Sequence, residues 1–260
     1  MTTDTYFANG NEVQLFEQAF RRRIPAMLTG PTGCGKTRFV EHMGSLLQRP
    51  VVTISCHDDL TSSDLVGRFM VTGGDVVWTD GPLTRAVKAG AICYLDEVVE
   101  ARQDTTVVLH PLADHGRQLP IDRLGVTLDA APGFCLVVSY NPGYQSVLKD
   151  LKDSTRQRMV AIELDFPPVE VEEKVVAAEA GVALEFAARL VRLAQAIRRL
   201  ETAGLREVAS TRVLIAAARM TNEGLPLVTA AKAAVAGPLT DDPTLTASLA
   251  EMVDAYLGTD

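Results

Sequence analysis

The stretch Gly30-Pro31-Thr32-Gly33-Cys34-Gly35-Lys36-Thr37 decides the fold of this chain. It fits the pattern G-x-x-x-x-G-K-[ST], whose glycines let backbone N–H groups curl around phosphate oxygens where a side chain would clash. An apolar run typical of a buried strand precedes the loop at 25–29, and apolar residues at helical spacing follow it at 38–47. The order of strand, glycine loop and helix therefore predicts a phosphate-binding loop, with the positive end of the helix dipole directed at the anion.

Each residue of the loop has a predicted role in binding a nucleotide. Lys36 is expected to reach the β- and γ-phosphates, and the hydroxyl of Thr37 is expected to ligate Mg²⁺. The remaining residues are expected to bind phosphate through the backbone, and they are Gly30, Pro31, Thr32, Gly33, Cys34 and Gly35. ATP and Mg²⁺ are thus the predicted cofactors. The alternative, a glycine-rich turn that happens to precede a helix, is disfavoured by the flanking strand and helix patterns.

Two carboxylates, Asp96 and Glu97, follow the apolar run 92–95. Ligands bind at the carboxyl ends of the strands in parallel α/β sheets, so both side chains are predicted to lie at the nucleotide site. Asp96 is expected to hold Mg²⁺ through water, and Glu97 is expected to polarise an attacking water. This pair favours hydrolysis over phosphoryl transfer to a bound metabolite, and the chain is therefore predicted to be an ATPase.

Asn141 follows the apolar run 134–139 and is placed next to the predicted γ-phosphate. A neutral amide at this point could orient the attacking water and sense the phosphate. The other interpretation is a turn-forming asparagine before Pro142, and the local sequence leaves both open.

Short apolar runs alternate with helical patterns through the first part of the chain. Five of the runs are predicted to be strands, at 25–29, 51–54, 91–95, 134–139 and 160–164. This alternation predicts a five-stranded parallel α/β sheet. Residues 66–79 and 118–128 are predicted to be β-hairpins, the first because Gly73-Gly74 separates two β-type runs. Residues 103–115 are predicted to be helical.

The composition changes after the double proline Pro167-Pro168. Helical patterns rich in Ala, Leu and Val fill the rest of the chain, at 169–180, 183–202, 210–223, 226–236 and 244–257. We predict two domains, an α/β nucleotide-binding domain at 1–166 and an all-α lid domain at 167–260. The alanine-rich stripes are expected to form the core of the second domain.

Composition restricts the class of protein. The chain has 260 residues, 47% of them hydrophobic and 22% charged, as in ordinary globular proteins. A net charge of −8 without a basic stripe argues against nucleic-acid binding. No secretory signal pattern and no apolar run of membrane-spanning length occurs, so a cytoplasmic protein without membrane insertion is expected. The four cysteines are isolated, which predicts reduced, buried thiols and disfavours a zinc site.

The motifs together resemble a known family of molecular motors. Phosphate loop, Asp-Glu strand, Asn strand tip and helical C-terminal part look like an AAA+ ATPase, and the two hairpins match inserts of its MoxR branch. The segments GPTGCGKTRFVE, YNPGYQ and LKDSTRQRM resemble the CbbQ/NorQ family over nearly the whole chain. The resemblance implies a P-loop NTPase core of the AAA+ type with hairpin inserts and a C-terminal all-α lid domain.

The resemblance also implies a role for each matching residue. Lys36 and Thr37 correspond to Walker A, Asp96 and Glu97 to Walker B, Asn141 to sensor 1, and Arg212 to sensor 2. Arg156 and Arg158 lie where the family places an arginine finger that reaches into the neighbouring subunit's nucleotide. Arg158 is favoured because it precedes the apolar residue that opens the fifth strand. Ion pairing with Asp150, Asp153 or Glu163 is the competing structural role for both arginines.

Partners follow from the same resemblance. Family members form homo-hexamers and act with an adaptor that carries a von Willebrand A domain, of the CbbO or NorD kind. The CbbQ branch resembles a Rubisco activase that releases inhibitory sugar phosphates, and overall similarity favours Rubisco as the client. The NorQ branch, associated with the maturation of nitric oxide reductase, is the alternative. A P-loop phosphotransferase acting on a small molecule is the alternative from another class.

The hairpins are the expected sites of contact with a client or adaptor. Phe69 and Trp78 are candidates in the first hairpin, and Arg123 and Leu124 are candidates for a ring pore in the second. The competing interpretation is that the aromatic residues pack onto their own domain, and it is favoured for Trp78.

Overall fold

A computed structural model of the chain describes residues 6–141, 153–200 and 208–258. The chain divides into two compact units. The first comprises Met1–Gly30 and Lys36–Leu164, and the second comprises Pro31–Gly35 and Asp165–Asp260. The assignment of independent domains to 1–166 and 167–260 stays a prediction.

The described residues form one central sheet and two hairpins. In chain order the strands are β1 (Ala26–Thr29), β2 (Val51–Ser55), β3 (Gly67–Thr72), β4 (Asp75–Asp80), β5 (Ile92–Asp96), β6 (Gln118–Ile121), β7 (Val126–Asp129), β8 (Cys135–Tyr140) and β9 (Val160–Glu163). The central sheet has five parallel strands in the order β2-β5-β8-β1-β9. The predicted five-stranded parallel sheet is confirmed.

The order of the strands brings the predicted site residues to one edge of the sheet. β8 is buried along its whole length, as expected for a parallel strand covered on both faces. It lies between β1 and β5, with Ser139 opposite Leu28 of β1. The glycine loop therefore follows β1, the two carboxylates end β5, and Asn141 follows β8, all at the carboxyl edge.

Helices surround this sheet in the first unit. They are α1 (Glu12–Arg21), α2 (Lys36–Leu46), α3 (Ser62–Val66), α4 (Pro82–Ala89), α5 (Gln103–Thr106), α6 (His110–Ala113) and α7 (Asp153–Arg156). α3 begins with a capping box, in which Thr61 and Asp64 each bond the backbone N–H of the other. α4 ends at Gly90, whose left-handed φ of 65° suits a helix C-terminus.

The predicted helical stretch at 103–115 is confirmed over Gln103–Ala113, but it is not one regular α-helix. The structure has α5, then a 3₁₀ turn at Val107–Leu109, then the short α6. Pro111 explains the interruption, because it has no N–H to donate and its ring clashes with the carbonyl four residues earlier.

Both predicted hairpins are confirmed. β3 pairs antiparallel with β4 through a turn at Gly73 and Gly74, whose φ values of 65° and 95° favour glycine. β6 pairs antiparallel with β7 through a 3₁₀ turn at Asp122–Leu124. The Trp78 indole donates from Nε1 to Asp80 Oδ1 at 2.8 Å, and its ring packs on the core of the first unit. Packing onto its own domain, the interpretation favoured for Trp78, is therefore correct.

The second unit is helical from residue 169 onward. Its helices are α8 (Val169–Ala180), α9 (Leu184–Arg198), α10 (Thr211–Asn222), α11 (Leu227–Ala231) and α12 (Pro243–Leu257), with a π-helical turn at Lys232–Ala236 after α11. Leu, Val and Ala side chains form its core, as the stripes predict. The predicted helix 183–202 is observed as far as Arg198, and its last two residues lie outside the described ones. None of the helices described is long and apolar enough to cross a membrane.

Candidate active site

The glycine loop between β1 and α2 has backbone angles that only glycine adopts easily. The φ values are 149° at Gly30, 73° at Gly33 and 101° at Gly35. A Cβ on Gly33 would lie 2.6 Å from the Cβ of Ser210, whereas one on Gly35 would meet nothing within 4 Å. Backbone conformation thus requires glycine at both positions, and close contact with Ser210 requires it again at Gly33.

Lys36 opens α2 and carries its charge in a buried position. Its side chain is 7% exposed, and Nζ donates to the Gly30 carbonyl at 2.9 Å and to Asn141 Oδ1 at 2.5 Å. A buried ammonium needs such acceptors, since unpaired burial of a charge is costly. The amine is therefore held over the loop, at the point where the helix begins.

Glu97 is held in an uncommon backbone conformation at the end of β5. Its φ of 54° and ψ of 51° are left-handed, a region that few residues other than glycine adopt. The Glu97 N–H donates to Ser139 Oγ at 3.1 Å, and its Oε1 accepts from Asn141 Nδ2 at 3.0 Å. Left-handed non-glycine residues of this kind cluster at active sites, where the surrounding structure maintains the strain.

Asn141 joins the two charged side chains. Its amide oxygen accepts from Lys36 and its amide nitrogen donates to Glu97. The sequence placed these three residues on separate segments, and the structure brings them into one hydrogen-bonded row at the carboxyl edge of the sheet. A turn-forming role alone does not require either contact.

The Asp96 carboxylate has two hydroxyl neighbours that were not predicted from the sequence. Tyr94 Oη lies 2.7 Å from Asp96 Oδ1, and Ser139 Oγ donates to the same oxygen at 2.7 Å. The pKa of Tyr94 is raised above its usual value, mainly because the hydroxyl is buried and also because it bonds the Asp96 carboxylate. The period of two along a strand would have placed Tyr94 on the same face as Asp96, but only the strand pairing brings Ser139 there.

The donors present suit a magnesium ion. Thr37 offers a hydroxyl and Asp96 a carboxylate, and Mg²⁺ prefers oxygen ligands, commonly one or two carboxylates together with substrate phosphates and waters. Among the described residues, no group of three or more His, Cys, Asp or Glu side chains could hold a metal ion.

Arg158 forms an ion pair with an acid that the sequence did not suggest. Its Nε lies 2.6 Å from Asp114 Oδ1, and the two side chains are 35% and 52% exposed. Ion pairing of this arginine is thus observed with Asp114, which follows α6, whereas Asp150 and the side chain of Asp153, two of the acids proposed for it, lie outside the described residues. Arg156 lies with its guanidinium 5.9 Å from the centre of the Tyr140 ring.

Arg212 lies beside the glycine loop within the second unit. A Cβ on Gly33 would be 3.6 Å from the Cβ of Arg212, whose residue is exposed. Arg212 is the second residue of α10, so the start of this helix faces the loop.

A buried ion pair supports the start of α10. Arg198 donates to both oxygens of Glu172 at 2.6 and 2.8 Å. Thr211 Oγ1 donates to Glu172 at 2.6 Å, and Arg198 Nε donates to the Ala209 carbonyl at 2.8 Å. The Arg198 guanidinium also lies 3.9 Å from the centre of the Phe166 ring. α8, α9 and the first turn of α10 are thus tied together by one charged group.

The four cysteines are free and buried. Burial, with the nearby charges of Asp96 and Glu97, raises the pKa of Cys56 to about 12. Burial likewise raises the pKa of Cys135 to about 12. Both thiols therefore behave as small apolar groups, as their positions at strands predict.

Two family models match the chain. Residues 25–159 match the AAA domain of the dynein-related subfamily. Residues 172–256 match the C-terminal region shared by CbbQ, NirQ and NorQ proteins. The first match covers four of the five strands of the central sheet, β9 being the exception, and the second covers most of the helices that follow.

Several characterised proteins are similar over almost the entire chain. The denitrification regulatory protein NirQ of Stutzerimonas stutzeri is 57% identical, over 96% of this chain and 90% of that protein. Protein NorQ of Paracoccus denitrificans is 55% identical, over 97% of this chain and 94% of that protein. Protein CbbQ of Hydrogenophilus thermoluteolus is 52% identical, over 92% of this chain and 90% of that protein.

Among solved structures, a mutant of RuvB of Thermotoga maritima has the same fold. It superposes with a TM-score of 0.60 at 18% identity, over 99% of this chain and 74% of that chain. At this identity the likeness concerns the fold alone.

Proposed function

Because the chain belongs to the CbbQ/NirQ/NorQ family of AAA+ ATPases, we propose that it uses ATP hydrolysis to remodel a client protein. The row of hydrogen bonds from Lys36 through Asn141 to Glu97 supports this proposal most strongly. It joins the residue that would bind the phosphates to the residue that would activate water, within one partly buried site.

In the proposed reaction each side chain has one task. Backbone N–H groups of the glycine loop and the Lys36 ammonium bind the β- and γ-phosphates. Glu97 accepts a proton from the attacking water, and the Asn141 amide holds Glu97 in position beside the phosphate. Mg²⁺, held through Thr37 and Asp96, neutralises phosphate charge when it is bound.

Arginines complete the proposed site. Arg212, whose Cβ is beside the loop, supplies positive charge to the phosphates. A second arginine, Arg158 or Arg156, reaches the nucleotide of the neighbouring subunit in a homo-hexamer. Arginine fingers of this type raise hydrolysis rates by about 10³–10⁵-fold.

Mixed rings test the proposed finger. Arg158→Ala subunits mixed with Glu97→Gln subunits should recover phosphate release, because one intact interface site forms where the two kinds meet. Arg156→Ala in place of Arg158→Ala is the matched control. Recovery with neither arginine variant would contradict a finger acting between subunits.

An adaptor with a von Willebrand A domain and one client complete the proposal. Rubisco is the client favoured by the motif resemblance. Nitric oxide reductase gains support from a relative named as a denitrification regulatory protein, which is 57% identical, against 52% for CbbQ. We propose these two clients as the alternatives that an experiment must separate.

Capture with a trapping variant separates the clients. Glu97→Gln should bind ATP without hydrolysing it, so client and adaptor stay attached when it is purified from the native cell. Lys36→Ala, which should bind ATP poorly, is the control. Mass spectrometry that finds Rubisco with Glu97→Gln alone supports the first client, and nitric oxide reductase supports the second. ATP-dependent capture of neither enzyme contradicts both.

A further inference from the structure

A buried tyrosine hydroxyl bonds Asp96, one of the two residues that are proposed to hold magnesium. Tyr94 is 0% exposed and lies in the middle of β5, two residues before Asp96. A tyrosine hydroxyl in such a position needs hydrogen-bond partners, because burying an unsatisfied hydroxyl is costly.

The partners of this hydroxyl are Asp96 and Ser139. Tyr94 Oη lies 2.7 Å from Asp96 Oδ1 and 3.1 Å from Ser139 Oγ. The tyrosine hydroxyl therefore donates to the carboxylate that is proposed to hold the metal.

The same arrangement fixes the Asp96 carboxylate. Oδ1 accepts from both Tyr94 and Ser139, which prevents rotation of the carboxylate. Among the residues that the structure describes, none donates to Oδ2, and this oxygen is left to face the water shell of a metal. Residues that orient metal ligands in this way typically contribute 10–100-fold to metal affinity or activity.

We propose that Tyr94 is a positioning residue for magnesium, which orients the Asp96 carboxylate through its hydroxyl; this inference rests on the proposed function. Its ring is part of the core, and only its oxygen has this task. Tyr94→Phe therefore removes the hydroxyl and keeps the packing.

The test measures binding of a fluorescent ATP analogue as Mg²⁺ is titrated. In Tyr94→Phe, the Mg²⁺ concentration for half-maximal effect should rise by about 10-fold or more. Affinity for the analogue in excess EDTA should equal that of the natural protein, because the glycine loop and Lys36 are unchanged. Tyr6→Phe is the matched control, since it removes a hydroxyl that bonds Glu12 at 2.9 Å, away from Asp96.

The outcomes separate the inference from the function on which it rests. An unchanged Mg²⁺ midpoint in Tyr94→Phe, or equal losses with Mg²⁺ and in EDTA, would overturn the positioning role. If the natural protein itself binds no nucleotide, the proposed function fails instead. Should thermal unfolding show that Tyr94→Phe does not fold, Ser139→Ala removes the other donor to Oδ1, and the same rise in the Mg²⁺ midpoint is expected.

Discussion

Replacing Arg198 by methionine should destabilise the helical unit strongly. The side chains of Arg198 and Glu172 are 9% and 0% exposed, and two hydrogen bonds of 2.6 and 2.8 Å join them. Arg198→Met keeps much of the side-chain volume but leaves the Glu172 carboxylate buried, with the Thr211 hydroxyl as its remaining donor in the described cluster. A buried charge without its counter-charge is the expected cause of the loss.

The magnitude follows from the burial of both groups. Breaking a buried ion pair by removing one partner costs about 3–5 kcal/mol, because desolvation of the remaining charge is no longer compensated. The lost contact with the Phe166 ring at 3.9 Å and the lost bond to the Ala209 carbonyl act in the same direction. We therefore expect the free energy of unfolding to fall by at least about 3 kcal/mol.

Urea denaturation followed by circular dichroism measures this change. Arg219→Met is the matched control in the same helical unit. Arg219 pairs with Glu179 at 3.1 Å, and their side chains are 56% and 27% exposed, respectively. An exposed pair of this kind contributes about 0–1 kcal/mol. Equal losses for Arg198→Met and Arg219→Met would refute the assignment of a buried ion pair at the start of α10.

Three further predictions concern the loop and the cysteines. Lys36→Ala should weaken ATP binding by roughly 10–100-fold in calorimetry, since it removes a charge-assisted bond to phosphate; unchanged affinity would contradict the assigned role. Gly33→Ala should also weaken ATP binding, because φ at this residue is 73° and the new Cβ would lie 2.6 Å from the Cβ of Ser210. Gly116→Ala is the control and should bind ATP as before, because a Cβ at this position meets nothing closer than 3.8 Å. Cys56, with its pKa raised to about 12, should resist iodoacetamide at pH 8 in the folded protein and react after unfolding in urea; fast labelling of folded protein, read by mass spectrometry, would contradict its burial.

The parts of the fold that local sequence determines could be predicted. The glycine loop, the five strands and both hairpins come from short-range patterns, and all are observed. The family assigned from the motifs is confirmed by the matching models and relatives. The helical stretch predicted at 103–115 is observed over Gln103–Ala113, although the prediction did not include the 3₁₀ turn at Val107–Leu109.

Contacts between distant segments could not be predicted. Asp114 meets Arg158 only because the chain returns past α6, and no local pattern indicates this pairing. Ser139 reaches Asp96 because β8 pairs with β5, although the two residues are 43 apart in the chain. No local pattern indicates the pair between Glu172 and Arg198 either, since the sequence alone does not show which parts of two helices face each other.

The most direct test of the account is the release of inorganic phosphate from ATP. With ATP, Mg²⁺ and its adaptor present, the natural protein should release phosphate, and Glu97→Gln should bind ATP normally while releasing it at least about 100-fold more slowly. Hydrolysis by Glu97→Gln at the rate of the natural protein would contradict the role of this carboxylate. The absence of phosphate release by the natural protein would contradict the motor itself.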